Sequence, residues 1–162
     1  MPGEARLWIF AAERALNAEE QRELFAELDA FLDEWKAHGE PLSAARDLRY
    51  GQFLLVAADE SAAGASGCSI DALTGVLRRV EGRLGVELAS NAPVFYRDEQ
   101  GVRRVTRAQF TKMAAAGEVT PDVTVFDNTA ARVADVREGR WERPARESWH
   151  ARAFFAAVPT TS

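Results

Sequence analysis

This chain of 162 residues holds one cysteine, two histidines and two lysines. A lone cysteine closes no internal disulfide, which fits a reducing compartment. With so few thiols and imidazoles, none of the Cys/His spacings that hold zinc can be written. No apolar run approaches the ~20 residues that cross a bilayer. The start, Met1-Pro2-Gly3-Glu4, lacks the basic and apolar regions of a signal peptide. Nucleotide motifs are missing too. There is no G-x-x-x-x-G-K-[ST] to cradle phosphates, no G-x-G-x-x-G opening a helix, and no G-x-S-x-G elbow. The sequence therefore predicts a soluble cytoplasmic protein with no metal and no other cofactor.

Charge narrows the partners. The net charge of −5 argues against nucleic-acid binding, which needs clustered Lys and Arg for phosphate neutralisation. The charge is uneven: residues 1–91 hold 9 basic and 16 acidic side chains, residues 92–162 hold 11 and 9. Two surface characters suggest two parts. Apolar residues at 47% are enough for a packed core, so disorder is excluded.

Leu7-Trp8-Ile9-Phe10 reads as a buried strand. Asn17 with Glu20 makes a capping box, and Leu24, Leu28, Phe31 and Trp35 continue as an apolar helical stripe. His38-Gly39 before Pro41 reads as the stop, with Gly39 left-handed at the end of that helix. Residues 46–50 and 52–57 form a hairpin around Gly51, the second strand apolar on both faces and hence central. Ile70, Leu73, Leu77, Val80 and Leu84 mark a second helix ending at Gly85. The fold class is thus α+β. Its N-terminal part is β-α-β-β-α, a mixed sheet with both helices packed on it.

Asn91-Ala92-Pro93 marks a boundary. Beyond it come a hairpin over 94–97 and 102–105 and a helix with a Thr106–Gln109 capping box and a Val105–Phe110 staple. A strand at 123–126 and a terminal helix docking the aromatics of Trp149, Phe154 and Phe155 follow. The expected domains are 1–90, a smaller 91–158, and a frayed tail at 159–162.

Few residues carry candidate chemistry. Cys68 precedes the second helix. With Ser69 as N-cap, the helix dipole would favour a thiolate, and His150 or His38 would have to arrive as base. The same geometry also makes Cys68 one half of a hydrophobic staple with Leu73, and Asp71 a favourable carboxylate in the first turn. Asp59 and Glu60 end a central strand, where they could bind a ligand or simply open a loop. Ser66, Gly67 and Ser69 offer donors for an anion, or ordinary capping groups. His38 suits a helix C-terminus, and His150 beside Trp149 could line a pocket or bond within the core.

Four stretches, in order, carry a resemblance: 35–42 (W-K-A-H-G-E-P-L), Asp59-Glu60, 66–71 (S-G-C-S-I-D) and Ser148-Trp149-His150. Together they resemble a family of small uncharacterised bacterial proteins whose members often carry the label ABC transporter ATPase. ABC-type ATPase activity is not expected, because the Walker A lysine and the signature motif are missing. Residues 94–144 resemble the bacterial GYF-type domain. They share its strand, turn, strand, helix and strand order and the stretch Gly117-Glu118-Val119-Thr120-Pro121-Asp122. That likeness implies a peptide-binding fold, although Gly101-Val102-Arg103-Arg104-Val105 replaces the Gly-Pro-Phe segment of the cleft.

The expected function is a non-catalytic binding or adaptor protein. It recognises a peptide or small ligand between its two parts, through Asp59, Glu60, Ser66, Gly67, Ser69, Asp71 and Trp149. The rival is a small hydrolase or thiol enzyme using Cys68 with His150 or His38.

Overall fold

The computed structural model describes residues 1–61, 64–89 and 92–156. Ala62 and Ala63 of the small-residue loop and the tail at 159–162 lie outside the described residues. The fold is α+β and divides into two compact units, Met1–Ser90 with Ala130–Arg137, and Asn91–Thr129 with Glu138–Ser162.

The first unit is built on a three-stranded sheet. Strand β1 is Arg6–Ala11, β4 is Ser43–Arg49 and β5 is Phe53–Asp59, in the order β1-β5-β4. Both pairings are antiparallel, so the expected mixed sheet is corrected to an antiparallel one. Strand β5 lies in the middle, as its unbroken apolar run requires. Its alternate residues Leu54, Val56 and Ala58 join one core with α1 (Ala18–Asp33) and α2 (Gly67–Leu84). Leu28, Leu73 and Leu77 are fully buried there, each contributing about 1.5–3 kcal/mol through apolar burial.

Helix α1 starts where the sequence indicates. Asn17 Oδ1 accepts from the Glu20 amide at 2.8 Å, and Glu20 Oε1 accepts from the Asn17 amide at 2.9 Å. Its end is different. The helix stops at Asp33, with Glu34 leaving helical geometry, and His38-Gly39 terminates no helix. The residues after it fold into a small hairpin, β2 (Lys36–Ala37) and β3 (Glu40–Pro41), with His38 (φ 54°) and Gly39 (φ 80°) as its turn. Two consecutive positive φ values suit a tight hairpin turn as well as a helix end, which is why the signal misleads. Trp35 leaves the helical stripe. Its indole packs edge-on against Trp8 at 5.6 Å and donates to the Ser69 carbonyl at 2.8 Å.

A segment the periodicity does not reveal completes this unit. Residues 131–133 run along the outer edge of β1: the Leu7 amide donates to the Ala131 carbonyl at 2.9 Å and the Val133 amide to the Ala5 carbonyl at 3.0 Å. Before helix α3 comes the second unit's hairpin, β6 (Val94–Asp98) and β7 (Gly101–Val105). Helix α3 is Arg107–Ala115, strand β8 is Thr124–Phe126, and the short helix α4 is Val133–Arg137. Strand β9 is Glu142–Pro144. Five residues of α4 are too few to show an apolar period.

The second unit carries an antiparallel sheet in the order β7-β6-β8-β9. Thr106 and Gln109 cap α3 reciprocally, and Val105 and Phe110 share one apolar cluster. The expected terminal helix is a single wide π-type turn at Ala151–Phe155, preceded by a 3-10 turn at Ala145–Glu147. Its aromatics dock as expected, Phe154 meeting Phe110 edge-on at 4.8 Å.

Candidate functional site

The stretch from Asp59 to Asp71 is occupied by its own architecture. Asp59 accepts from the Ser61 amide at 2.9 Å, and that bond holds its carboxyl below the usual range. Glu60 Oε2 accepts from the Ala65 amide at 2.7 Å, and Arg6 and Arg132 approach the same carboxylate at 3.9 and 4.0 Å. These two carboxylates shape the loop that delivers the chain to α2.

The start of α2 corrects the expected register. Ser66, not Ser69, is the N-cap: its hydroxyl accepts from the Ser69 amide at 3.1 Å, and Ser69 Oγ accepts from the Ser66 amide at 2.7 Å. A serine at the third helical position closes the box that Glu or Gln usually closes. Moving the cap back three residues places Gly67 in the first helical position and Cys68 in the second. Asp71 moves beyond the first turn. Cys68 is exposed, so the expected staple with Leu73 does not form. His38 lies exposed in its hairpin turn rather than at a helix end.

His150 belongs to the second unit and is buried. Its ring stacks on Trp149 at 3.9 Å, with Phe154 at 6.1 Å and Phe110 at 6.4 Å. Ser148 Oγ lies 2.6 Å from Nδ1, accepts from the His150 amide at 3.1 Å, and is 3.2 Å from the Ala145 carbonyl. A hydroxyl has one proton and two lone pairs. The hydroxyl is fully used when that proton goes to Ala145 and both Nδ1–H and the His150 amide donate to Ser148. Burial pushes the imidazole down to about 4, against the opposing charge of Asp127 and with the help of Arg107 and Arg143. Trp149 is half-buried, with the Arg107 guanidinium 5.0 Å from its ring centre.

Among the described residues, two concavities are roomy enough to admit a ligand group. The larger, about 790 Å³, is an open depression along residues 146–149 and 151–153. Its described walls come from one stretch of chain, the 3-10 turn, the π-type turn and the residues between them. The smaller, about 200 Å³, lies in the first unit, on the face of the sheet opposite α1 and α2. Leu7, Leu55 and Ala57 form its floor, Val133 and Val136 of α4 its wall, and Asp47, Arg49 and Arg137 its rim. Convergence of strands and helix around an apolar floor, with a few polar groups at the mouth, is the usual form of a binding site. We favour the smaller cavity for that reason.

None of its residues was marked by the sequence, although the strand alternation puts Leu55 and Ala57 on the face away from the helices. The signal that α4 returns to cover that face is absent from the local pattern. No metal-holding group of His, Cys, Asp and Glu exists among the described residues, and no described helix is long and apolar enough to cross a membrane. No protein-family model matches the chain, and comparison with curated proteins and with solved structures returns no match.

Proposed function

We propose that this is a cytoplasmic, non-catalytic binding or adaptor protein that recognises a peptide through the first unit. One observation carries the reading: the cavity of about 200 Å³ between the sheet and α4, apolar within and charged at the mouth. Its size decides the ligand class. Sites for whole small molecules run from about 300 to 1,000 Å³, so this one takes a single apolar side chain. A side chain presented by a longer partner fits that volume, and the rim groups then meet the partner's polar neighbours. The resemblance of residues 94–144 to a GYF-type domain is a second proposal, supported by the order of β6, β7, α3 and β8.

An amide-resolved NMR titration with N-acetyl-leucine tests the site. Saturable shifts at Leu55, Ala57, Val133 and Val136 are expected, with a dissociation constant of about 1–10 mM for so few contacting atoms. Ala45 is exposed beside the cavity, so Ala45→Phe fills its mouth with little effect on the core and abolishes the shifts. Shifts confined to other residues, or unchanged by Ala45→Phe, overturn the proposal.

A further inference from the structure

The two edges of the first sheet are treated differently. Residues 131–133 pair along β1 and close it. Strand β4 is the other edge, and no described strand pairs with its outer side. The Leu48 amide on that side is held by Asp47 of the same strand, whose Oδ1 accepts from it at 2.9 Å. In an antiparallel ladder outward amides alternate, so those of Ala44 and Arg46 point the same way.

The register links this edge to the cavity. One rung across the sheet reads Ala45, Ala57, Leu7, and the next reads Asp47, Leu55, Ile9. On the cavity face the first rung is therefore low, two alanines running from the open edge inward. A side chain on a strand laid outside β4, opposite Ala45, leans over these alanines into the cavity. Two residues along it faces Asp47, and four along it faces Arg49, which pairs with Asp47 at 2.5 Å.

Resting on the binding reading above, we propose that the occupant is an extended peptide added antiparallel to β4 as a fourth strand. It sinks one apolar side chain over Ala45 and Ala57, sets a cation opposite Asp47, and sets a carboxylate opposite Arg49. Main-chain bonds to the edge supply affinity, and the pocket with its alternate charges supplies selectivity. Asp47 stands in for the incoming strand at the Leu48 amide until a carbonyl replaces it. The motif on the peptide, read from its N-terminus, is acidic-x-basic-x-apolar.

The probe is acetyl-Thr-Glu-Thr-Lys-Thr-Leu-Thr-amide, with a control in which Glu and Lys are exchanged. Amide hydrogen exchange by NMR on the intact chain is the readout. At saturation, exchange at Ala44, Arg46 and Leu48 is expected to slow at least about tenfold, and the control to bind about threefold to tenfold more weakly. Equal binding of the two peptides overturns the assigned register. If N-acetyl-leucine shifts the cavity residues but the peptide leaves the three amides unprotected, strand addition fails and the cavity reading survives. If neither probe touches the first unit, both fail. Protection without peptide that grows with protein concentration means that β4 pairs with a second copy, and also overturns the proposal.

Discussion

Acidification isolates the contribution of His150. The unfolded imidazole takes its proton near 6.5, whereas burial against Trp149, Phe154 and Phe110 delays protonation in the fold to about 4. Between these values the unfolded chain binds more protons, so stability falls as pH drops through 6.5 and the loss is complete near 4. The gap corresponds to at most about 3 kcal/mol, a large part of a small unit's stability. Asp127 reduces the effect, and Arg107 and Arg143 enhance it. Carboxylates act lower: Glu20, held down to about 2 by its bond with Arg14, loses its stabilising effect as pH falls from its ordinary range toward 2. Urea unfolding followed by fluorine NMR of labelled tryptophans separates the units, because Trp141 and Trp149 report on the second and Trp8 and Trp35 on the first. The transition of the second unit is expected to weaken from pH 7 to 4.5 in the native sequence. His150→Phe keeps the ring stack without a titrating group and is expected to remove most of that slope. The same slope in both proteins would refute the assignment.

Three further outcomes follow from local geometry. Cys68 is exposed, so iodoacetamide is expected to modify it in the folded protein, and Cys68→Ser should change urea stability by less than about 0.5 kcal/mol. Gly51 has φ 63° between Tyr50 and Gln52, and a Cβ there would meet Gln21 Nε2 at 3.5 Å. Gly51→Ala is expected to cost about 1–2 kcal/mol in urea unfolding. Trp35→Phe keeps an aromatic ring near Trp8 but leaves the Ser69 carbonyl without its indole donor. An expected loss of about 1–3 kcal/mol in the first-unit transition checks that bond.

Much of the fold was legible because its signals are local. Asn17 with Glu20 and Thr106 with Gln109 cap helices by short-range bonds, and the apolar run of β5 identifies a central strand. Errors arose where one local pattern serves two geometries. His38-Gly39 has the positive φ of a helix end and uses it for a hairpin turn. Ser66 and Ser69 both suit an N-cap, and the reciprocal bonds between them make Ser66 the cap and Ser69 the third helical residue. The cavity was not legible at all. It depends on residues 131–137 returning to a sheet formed before residue 60, a contact that neither partner's sequence pattern announces.

Cys68 proved to be an exposed residue of the first helical turn, and Asp59, Glu60, Ser66 and Ser69 hold a loop and a cap together. The small residues Ala45 and Ala57, which no chemical motif marks, border the cavity between the sheet and α4.

A crystal of the protein soaked with N-acetyl-leucine tests the central claim most directly. The account predicts an ordered isobutyl group between Ala57, Leu55 and Val136, with the carboxylate toward Arg49 or Arg137. A ligand ordered along Arg146–Ala153, with the cavity beside β4 left empty, would contradict it.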